Sequence, residues 1–592
     1  MTDVAVRPAE RKPEPVDQVG NASDRAGRAF TIVVGALVAA AVIVRFTATQ
    51  ALWLDEAQSV AIARLPLSGS GTTMWDGLLQ DGSPPLYYLL LHGWIAVVGE
   101  STLAVRSLSA LVNIAAAWPL YLLARRVIGE RGARVSVVLY LTSPFALYFG
   151  TETRMYSLIV LLTALGGVAL ERVLRAPSAK SVIGLALAAG GLALTHYWCL
   201  YLLVTVGVWL LGLLIVRPWY RARRARRGGP AGAPVPRAAG VSGSTSTGST
   251  GRSGGGSHRS GGRGTSGATS ASAAGGMSSA AAARRGPIHA LIGLVGGGLV
   301  FAPWLPSFFD QLAHTGTPWG EPASYAAISH AYGQWAGGPT TLGRLLLFLI
   351  TGLAAAGLAG QSTGGRFLLI DLRGREPGRT LFFLATGTLF VAVTAGKLVG
   401  NAWADRYTAT AFVPFLLVLG LGSTVIGDRR IFQGVIAVAA AIGLLAGTTD
   451  LHRERSQATE AADVLERLAH PGDVMLICPD QIGPGLARTI PPWLKVHVVP
   501  TYDAPDRVNW VDYEQRNENA DGREIARRAL AEAGPEHTVF LAGSGAYRTY
   551  EELCTEVQTT LAQARPHADQ VMKQGLPAKV YENYALLRFQ AS

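Results

Sequence analysis

The stretch WLDEAQS, residues 53–59, presents two adjacent carboxylates, Asp55 and Glu56, soon after an apolar run from Phe30 to Val44. Helix ends at a bilayer more often carry Lys, Arg, Trp or Tyr. Further polar groups recur in short turns between later apolar runs. YFGTETRMYS supplies Glu152, Arg154 and Tyr156, THYW supplies His196, and KLVGNAWADRYTATAFVP supplies Lys397, Arg406 and Tyr407. Asp81 precedes another apolar segment. A turn of four or five residues needs no Glu-x-Arg to be a turn. A carboxylate can take the proton of an attacking hydroxyl. The planar fork of Arg donates two parallel bonds to a phosphate. Together these groups could displace a phosphate from the anomeric carbon of a sugar, with cations and hydrogen-bond donors on the departing oxygens. Asp55 or Glu56 fits the role of base. Arg154, Arg406 and Tyr407 fit the phosphate, with Lys397 and His196 as weaker candidates. Glu152, Tyr156 and Asp81 complete the set of candidates. The plainer alternatives are a helix-end pair at Asp55/Glu56, a local ion pair at Glu152/Arg154 and packing at His196.

Only 16% of the 592 residues are charged, against about a quarter in a soluble domain, and mean hydropathy is +0.27. Apolar runs of roughly 17–20 residues, the length that crosses a hydrocarbon core, recur along the chain. This predicts a polytopic α-helical membrane protein. The net charge of +12 is matched by twelve Arg between Arg217 and Arg285, a segment with no Asp or Glu. That segment is rich in Gly, Ser and Thr, so it reads as a disordered linker facing lipid headgroups rather than nucleic acid. Residues 1–28 are long and polar, so no cleavable signal peptide is expected.

Basic residues collect on the cytoplasmic side. Placing the N-terminal tail inside puts the WLDE end of the first helix outside. The segment Pro84–Val98 is brief, opens with two prolines and is rich in aromatics, so it is predicted to lie in the outer interface. With that choice the basic clusters after Arg125 all fall inside. About eleven spanning helices result. The predicted organisation is a cytoplasmic disordered tail (1–28), a transmembrane module (29–216) with an outer loop at 49–102, the basic linker (217–286), a second transmembrane module (287–449) and an extracytoplasmic α/β domain (450–592). In that last domain runs such as DVMLICP and KVHVVPTY alternate with helical stretches, predicting a largely parallel sheet. Cys478 and Cys554 could pair there.

WLDEAQS, then GSPPLYYLLLHGWIAVVGESTLAVRSLSAL, SPFALYFGTETRMYSLIVLL and DRYTATAFVPFLLVLGLG together resemble bacterial members of the protein O-mannosyltransferase/aminoarabinose-transferase superfamily, which are GT-C fold glycosyltransferases. The resemblance covers residues 29–200 well and 380–427 more loosely. It implies a polyprenyl-phosphate sugar donor, inversion at the anomeric carbon and a catalytic Asp at position 55. It implies interfacial helices in the first outer loop, and a donor-phosphate contact at Tyr407. Ser83 stands where many relatives have His before Pro-Pro-Leu. A divalent metal at Asp55 and Glu56 stays open. The expected activity is transfer of a sugar, mannose or arabinofuranose, to a glycan, lipid or protein acceptor at the outer face. A transporter of polyprenyl-linked lipid or a non-enzymatic envelope scaffold are the alternatives.

Overall fold

A computed structural model describes residues 16–227, 268–316, 320–362, 368–400, 402–451, 453–544 and 551–591. Most of the expected disordered tail and the central part of the expected linker lie outside the described residues. Among the described residues, eight helices are long and apolar enough to cross a membrane, with Ala179–Ala193 and Cys199–Ile215 as shorter apolar neighbours. Large apolar side chains on the outer helix faces stay exposed, Phe348 by 79% and Leu299 by 71%. Such a surface suits lipid, where apolar burial between helices gives no advantage over the tails.

The 41-residue helical stretch Thr102–Thr142 is interrupted at Gly129, whose φ of 84° falls where side-chain-bearing residues are rarely found. The chain reverses there. Tyr121 donates to Glu130 at 2.9 Å and Tyr140 donates to the Asn113 carbonyl at 2.8 Å, so the two arms run antiparallel. The apolar stretches on either side of Gly129 are the two arms of one hairpin. The second arm stops at Ser143–Pro144, and a separate short helix, Pro144–Gly150, leads to the polar turn at 151–155. Helices Ala179–Ala193 and 284–301 meet through small residues. A Cβ on Gly297 would lie 2.6 Å from that of Ala189, so only glycine permits this approach.

The loop after the first span holds three short helices, Leu54–Ala63, Met74–Asp81 and Leu86–Val98. The last, at 13 residues, is about 20 Å long and too short to span. The first span ends at Arg45, which was legible only as an interruption of the apolar run. Arg45 is buried and donates to Asn113 at 2.9 Å and to the Leu141 carbonyl at 2.9 Å.

Residues 453–591 form an α/β domain. Its sheet has the strand order 495–498, 474–478, 539–543, 585–589, 568–572. The first three strands are parallel, and 585–589 runs antiparallel to both neighbours. The sheet is therefore mixed rather than largely parallel. Cys478 and Cys554 form a disulfide. The domain rests on the loop that contains WLDEAQS and on the turn at 151–155: Trp510 N–H donates to the Gln80 carbonyl at 2.8 Å, and Arg455 donates to the Thr151 carbonyl at 2.9 Å.

Candidate active site

Four chain segments distant in sequence converge at one end of the helices, beneath the C-terminal domain. They are the 53–59 stretch, the 151–155 turn, the 195–198 turn and the 403–408 turn. They border a cavity of about 1300 Å³. The first two are tied by Glu56, which accepts the Thr153 N–H at 2.9 Å. Helix Leu54–Ala63 then sends its two acids in different directions.

Asp55 faces the cavity. Its Oδ2 lies 3.4 Å from Arg406 Nη2 and 3.8 Å from Arg154 Nε. Asp55 Oδ2 and Arg154 Nε are both buried, and neither has a hydrogen-bond partner. Arg154 is steered by Nη1, which donates to Ser59 Oγ at 2.9 Å and reaches the Tyr88 hydroxyl at 3.4 Å. That hydroxyl donates to Asp81 at 2.7 Å, and Gln58 donates to the same carboxylate. Burial works against the charge of Arg154, but Asp55 beside it holds its pKa well above the usual value. Arg406 and Tyr407 enter from the 3-10 turn Asp405–Thr408, and the Tyr407 ring packs between His196 and Trp198 at 4.8 and 4.9 Å.

Glu56 has another role. It is fully buried and receives Arg106 Nε at 2.8 Å and Nη2 at 2.6 Å, with Arg455 Nη1 at 3.2 Å. Burial alone would raise its pKa, but Arg106 and Arg455 bring it down to about 2. Glu56 is an ion-paired anchor and does not line the cavity. The acidic pair therefore makes no two-carboxylate clamp. Among the described residues no three His, Cys, Asp or Glu side chains gather to hold a metal. With two guanidiniums against Asp55, the groups present fit an anion and do not fit a divalent cation.

Glu152 is buried on the cavity wall and accepts the Trp53 indole N–H at 3.0 Å. Burial raises its pKa to about 7 despite Arg455 nearby. His196 also lines the cavity, but its Nδ1 accepts the Trp198 N–H at 3.2 Å. Burial and the neighbouring Arg154 and Arg406 lower its pKa to about 3, so it is neutral and cannot serve as a cation for phosphate. Tyr156 packs behind the wall, its ring 6.2 Å from His196. Lys397 is not in the site. It is exposed at the end of helix Gly378–Val399, 5.6 Å above the Tyr325 ring. Lys397 stands in the last turn of that helix, ahead of the turn that supplies Arg406.

Sequence reasoning missed Arg106, as well as Arg455 and the cavity-lining Tyr581 from the C-terminal domain. Arg106 follows Glu56 by 50 residues, and no local pattern links them. Arg455 in RERS directly after the last span was a faint signal.

Residues 82–226 match the family model described as dolichyl-phosphate-mannose-protein mannosyltransferase. No curated protein matches the chain by sequence. Among solved structures it is similar to ArnT from Cupriavidus metallidurans in the apo state, at 13% identity over 95% of this chain and 99% of that one, TM-score 0.48. The same enzyme bound to undecaprenyl phosphate gives 13% identity, coverage of 94% and 98%, and TM-score 0.46. The Archaeoglobus fulgidus oligosaccharyltransferase complex with Zn and sulfate gives 10% identity, coverage of 86% and 67%, and TM-score 0.43. The family match falls on the segment carrying the Pro-Pro-Leu-Tyr-Tyr and Glu-x-Arg-x-Tyr motifs. With those motifs at one shared cavity, the chain is a multi-pass membrane protein whose residues 82–226 are similar to that mannosyltransferase family.

Proposed function

We propose that this chain is a glycosyltransferase of GT-C fold that takes a sugar, mannose or arabinofuranose, from a polyprenyl-phosphate donor. It passes the sugar to an envelope glycan, lipid or protein acceptor at the outer face of the plasma membrane. The observation that carries this reading is Asp55 Oδ2 set between Arg406 and Arg154, at 3.4 and 3.8 Å, on the wall of the cavity. A donor phosphate entering there offers the two guanidiniums a competing anion with several acceptor oxygens. Arg154 and Arg406 then hold the phosphate, Tyr407 stands beside it, and Asp55 is released to act as base. Asp55 takes the acceptor hydroxyl proton while the acceptor oxygen attacks the anomeric carbon. The bond from that carbon to the phosphate oxygen breaks, its electron pair stays on phosphate, and the configuration inverts. The guanidiniums stabilise that charge as it develops.

The C-terminal domain shares the face of the Asp55 loop, and its disulfide fits an oxidising compartment. This supports an extracytoplasmic domain and a cytoplasmic N-terminus. A transporter would place ionisable groups at mid-depth of the bilayer, whereas these gather at one end of the helices. Loss of transfer in Asp55→Asn, with donor binding retained, tests the reading.

A further inference from the structure

Four residues around Asp55 are held by the C-terminal domain. Helix Leu54–Ala63 begins without a side-chain cap of its own, because Trp53 stands at the cap position. Its first N–H groups have no partner within the helix. The Leu54 N–H donates instead to Glu582 Oε2 at 2.9 Å. Glu582 is 1% exposed, and its other oxygen accepts the Ser456 hydroxyl at 2.7 Å. A carboxylate at this point satisfies an orphan donor and complements the positive end of the helix dipole.

The contacts continue on both sides. Tyr581 meets the Trp53 ring edge-on, with centroids 4.8 Å apart. Arg455 reaches Glu56 at 3.2 Å. Gln58 donates to the Val508 carbonyl at 2.8 Å and accepts the Val508 N–H at 2.9 Å. Positions 53, 54, 56 and 58 are thus fastened to residues about 400 to 530 places later in the chain. Asp55 points instead to Arg154 and Arg406.

Arg455 and Glu582 sit on a short parallel strand pair, Glu454–Ser456 and Val580–Glu582, separate from the five-stranded sheet, and the carboxyl edge of that sheet adds to their hold. The chain leaving strand Val474–Cys478 packs on the start of the helix, and a Cβ on Gly485 would lie 3.1 Å from the Leu52 carbonyl. In open α/β sheets this edge is where ligands are usually held. Here it holds the helix that bears Asp55.

We propose that the C-terminal domain is a positioning device for Asp55, with Glu582 as its principal positioning residue. Sugar transfer then requires the domain docked through this cap. The proposal rests on the catalytic reading of Asp55. A misplacement of about 1 Å in a reacting group can cost roughly a hundredfold in rate. The domain therefore acts on turnover, not on the grip of the donor phosphate, which belongs to Arg154 and Arg406.

The test uses the full chain in detergent with polyprenyl-phosphate mannose and, in parallel, polyprenyl-phosphate arabinofuranose, with an envelope lipid and glycan extract or water supplying the acceptor hydroxyl, and reads release of polyprenyl phosphate. Hydrogen exchange of the 52–60 amides is followed alongside. Glu582→Ala should lower kcat by about 10- to 100-fold with KM for the donor within about twofold of wild type, and should speed exchange at 52–60. Glu582→Gln keeps one acceptor oxygen and should fall between the two. Gln58→Ala, which leaves Glu582 in place, should lower kcat in the same direction. Unchanged exchange at 52–60 in Glu582→Ala overturns the proposal. So does a fall in kcat matched by a rise in KM and global loss of exchange protection in all three variants. If wild type releases no polyprenyl phosphate from either donor, the catalytic reading has failed. Exchange at 52–60 then decides the clamp alone: faster exchange in Glu582→Ala supports it, and equal exchange overturns it.

Discussion

Arg106 and Glu56 form a two-bond ion pair with both side chains out of solvent, at 2.8 and 2.6 Å. The remaining Arg106 donors hold the Ala48 and Gln50 carbonyls, at 3.2 and 2.9 Å. One guanidinium thus fixes both the strand of chain leaving the first span and the helix that follows it. Removing one partner of a buried pair leaves an uncompensated charge, at a cost of about 3–5 kcal/mol. Arg106→Ala should therefore lower the thermal midpoint in detergent sharply. A midpoint equal to wild type would show that the pair holds nothing.

Glu56 also sets an acid limit. Burial alone would raise its carboxyl, but Arg106 and Arg455 pull it down to about 2 in the folded chain, against 4.5 for an ordinary Glu. A depressed carboxyl contributes stability that is complete above its unfolded pKa and is lost as pH falls through the folded one. Thermal midpoints should therefore decline between pH 4.5 and 2. In Glu56→Gln the part of that decline owed to this carboxyl should vanish.

Glu152 should behave in the opposite sense. Burial lifts its carboxyl from 4.5 to about 7. Below pH 4.5 the folded and unfolded chains both hold the proton. Between 4.5 and 7 only the folded chain does, so stability falls as pH rises through that window. Glu152→Gln keeps an acceptor for the Trp53 indole and has no charge to bury. Its midpoint should therefore gain on wild type between pH 5 and pH 8. An equal pH slope in the two proteins would contradict this.

Arg154 and Arg406 should act on donor binding. Hydrogen bonds to charged groups contribute about 1.5–3 kcal/mol. Arg154→Ala should thus weaken binding of a polyprenyl-phosphate sugar by about 10- to 150-fold, as read by titration. Lys397→Ala should leave that affinity unchanged, because Lys397 lies over Tyr325 and away from the cavity.

Local signals carried much of the fold into view. Apolar runs marked the membrane helices, and the brevity and prolines of Pro84–Val98 marked a helix that does not span. Asp55, Arg154, Arg406, Tyr407 and Glu152 were legible because charge in a short turn between apolar runs has few structural reasons. The division of labour between Asp55 and Glu56 was not legible. Adjacent helix residues point about 100° apart, and only the partners decide which one faces a cavity. Those partners, Arg106 and Arg455, lie 50 and 399 residues away from Glu56. The strands Ala568–Met572 and Ala585–Phe589 were also missed, and they turn an expected parallel sheet into a mixed one. Lys397 shared its stretch with Arg406, but the end of one helix and the start of the next turn put the two on different surfaces.

The central claim is that Asp55 takes the acceptor proton while Arg154 and Arg406 hold the donor phosphate. The most direct measurement pairs transfer with binding in Asp55→Asn, using a polyprenyl-phosphate sugar and purified protein in detergent. A positioned general base contributes roughly 10²–10⁴-fold. The account predicts a fall in kcat of that size with donor affinity retained or improved, since the guanidiniums lose a competing carboxylate. Wild-type turnover in Asp55→Asn would contradict it.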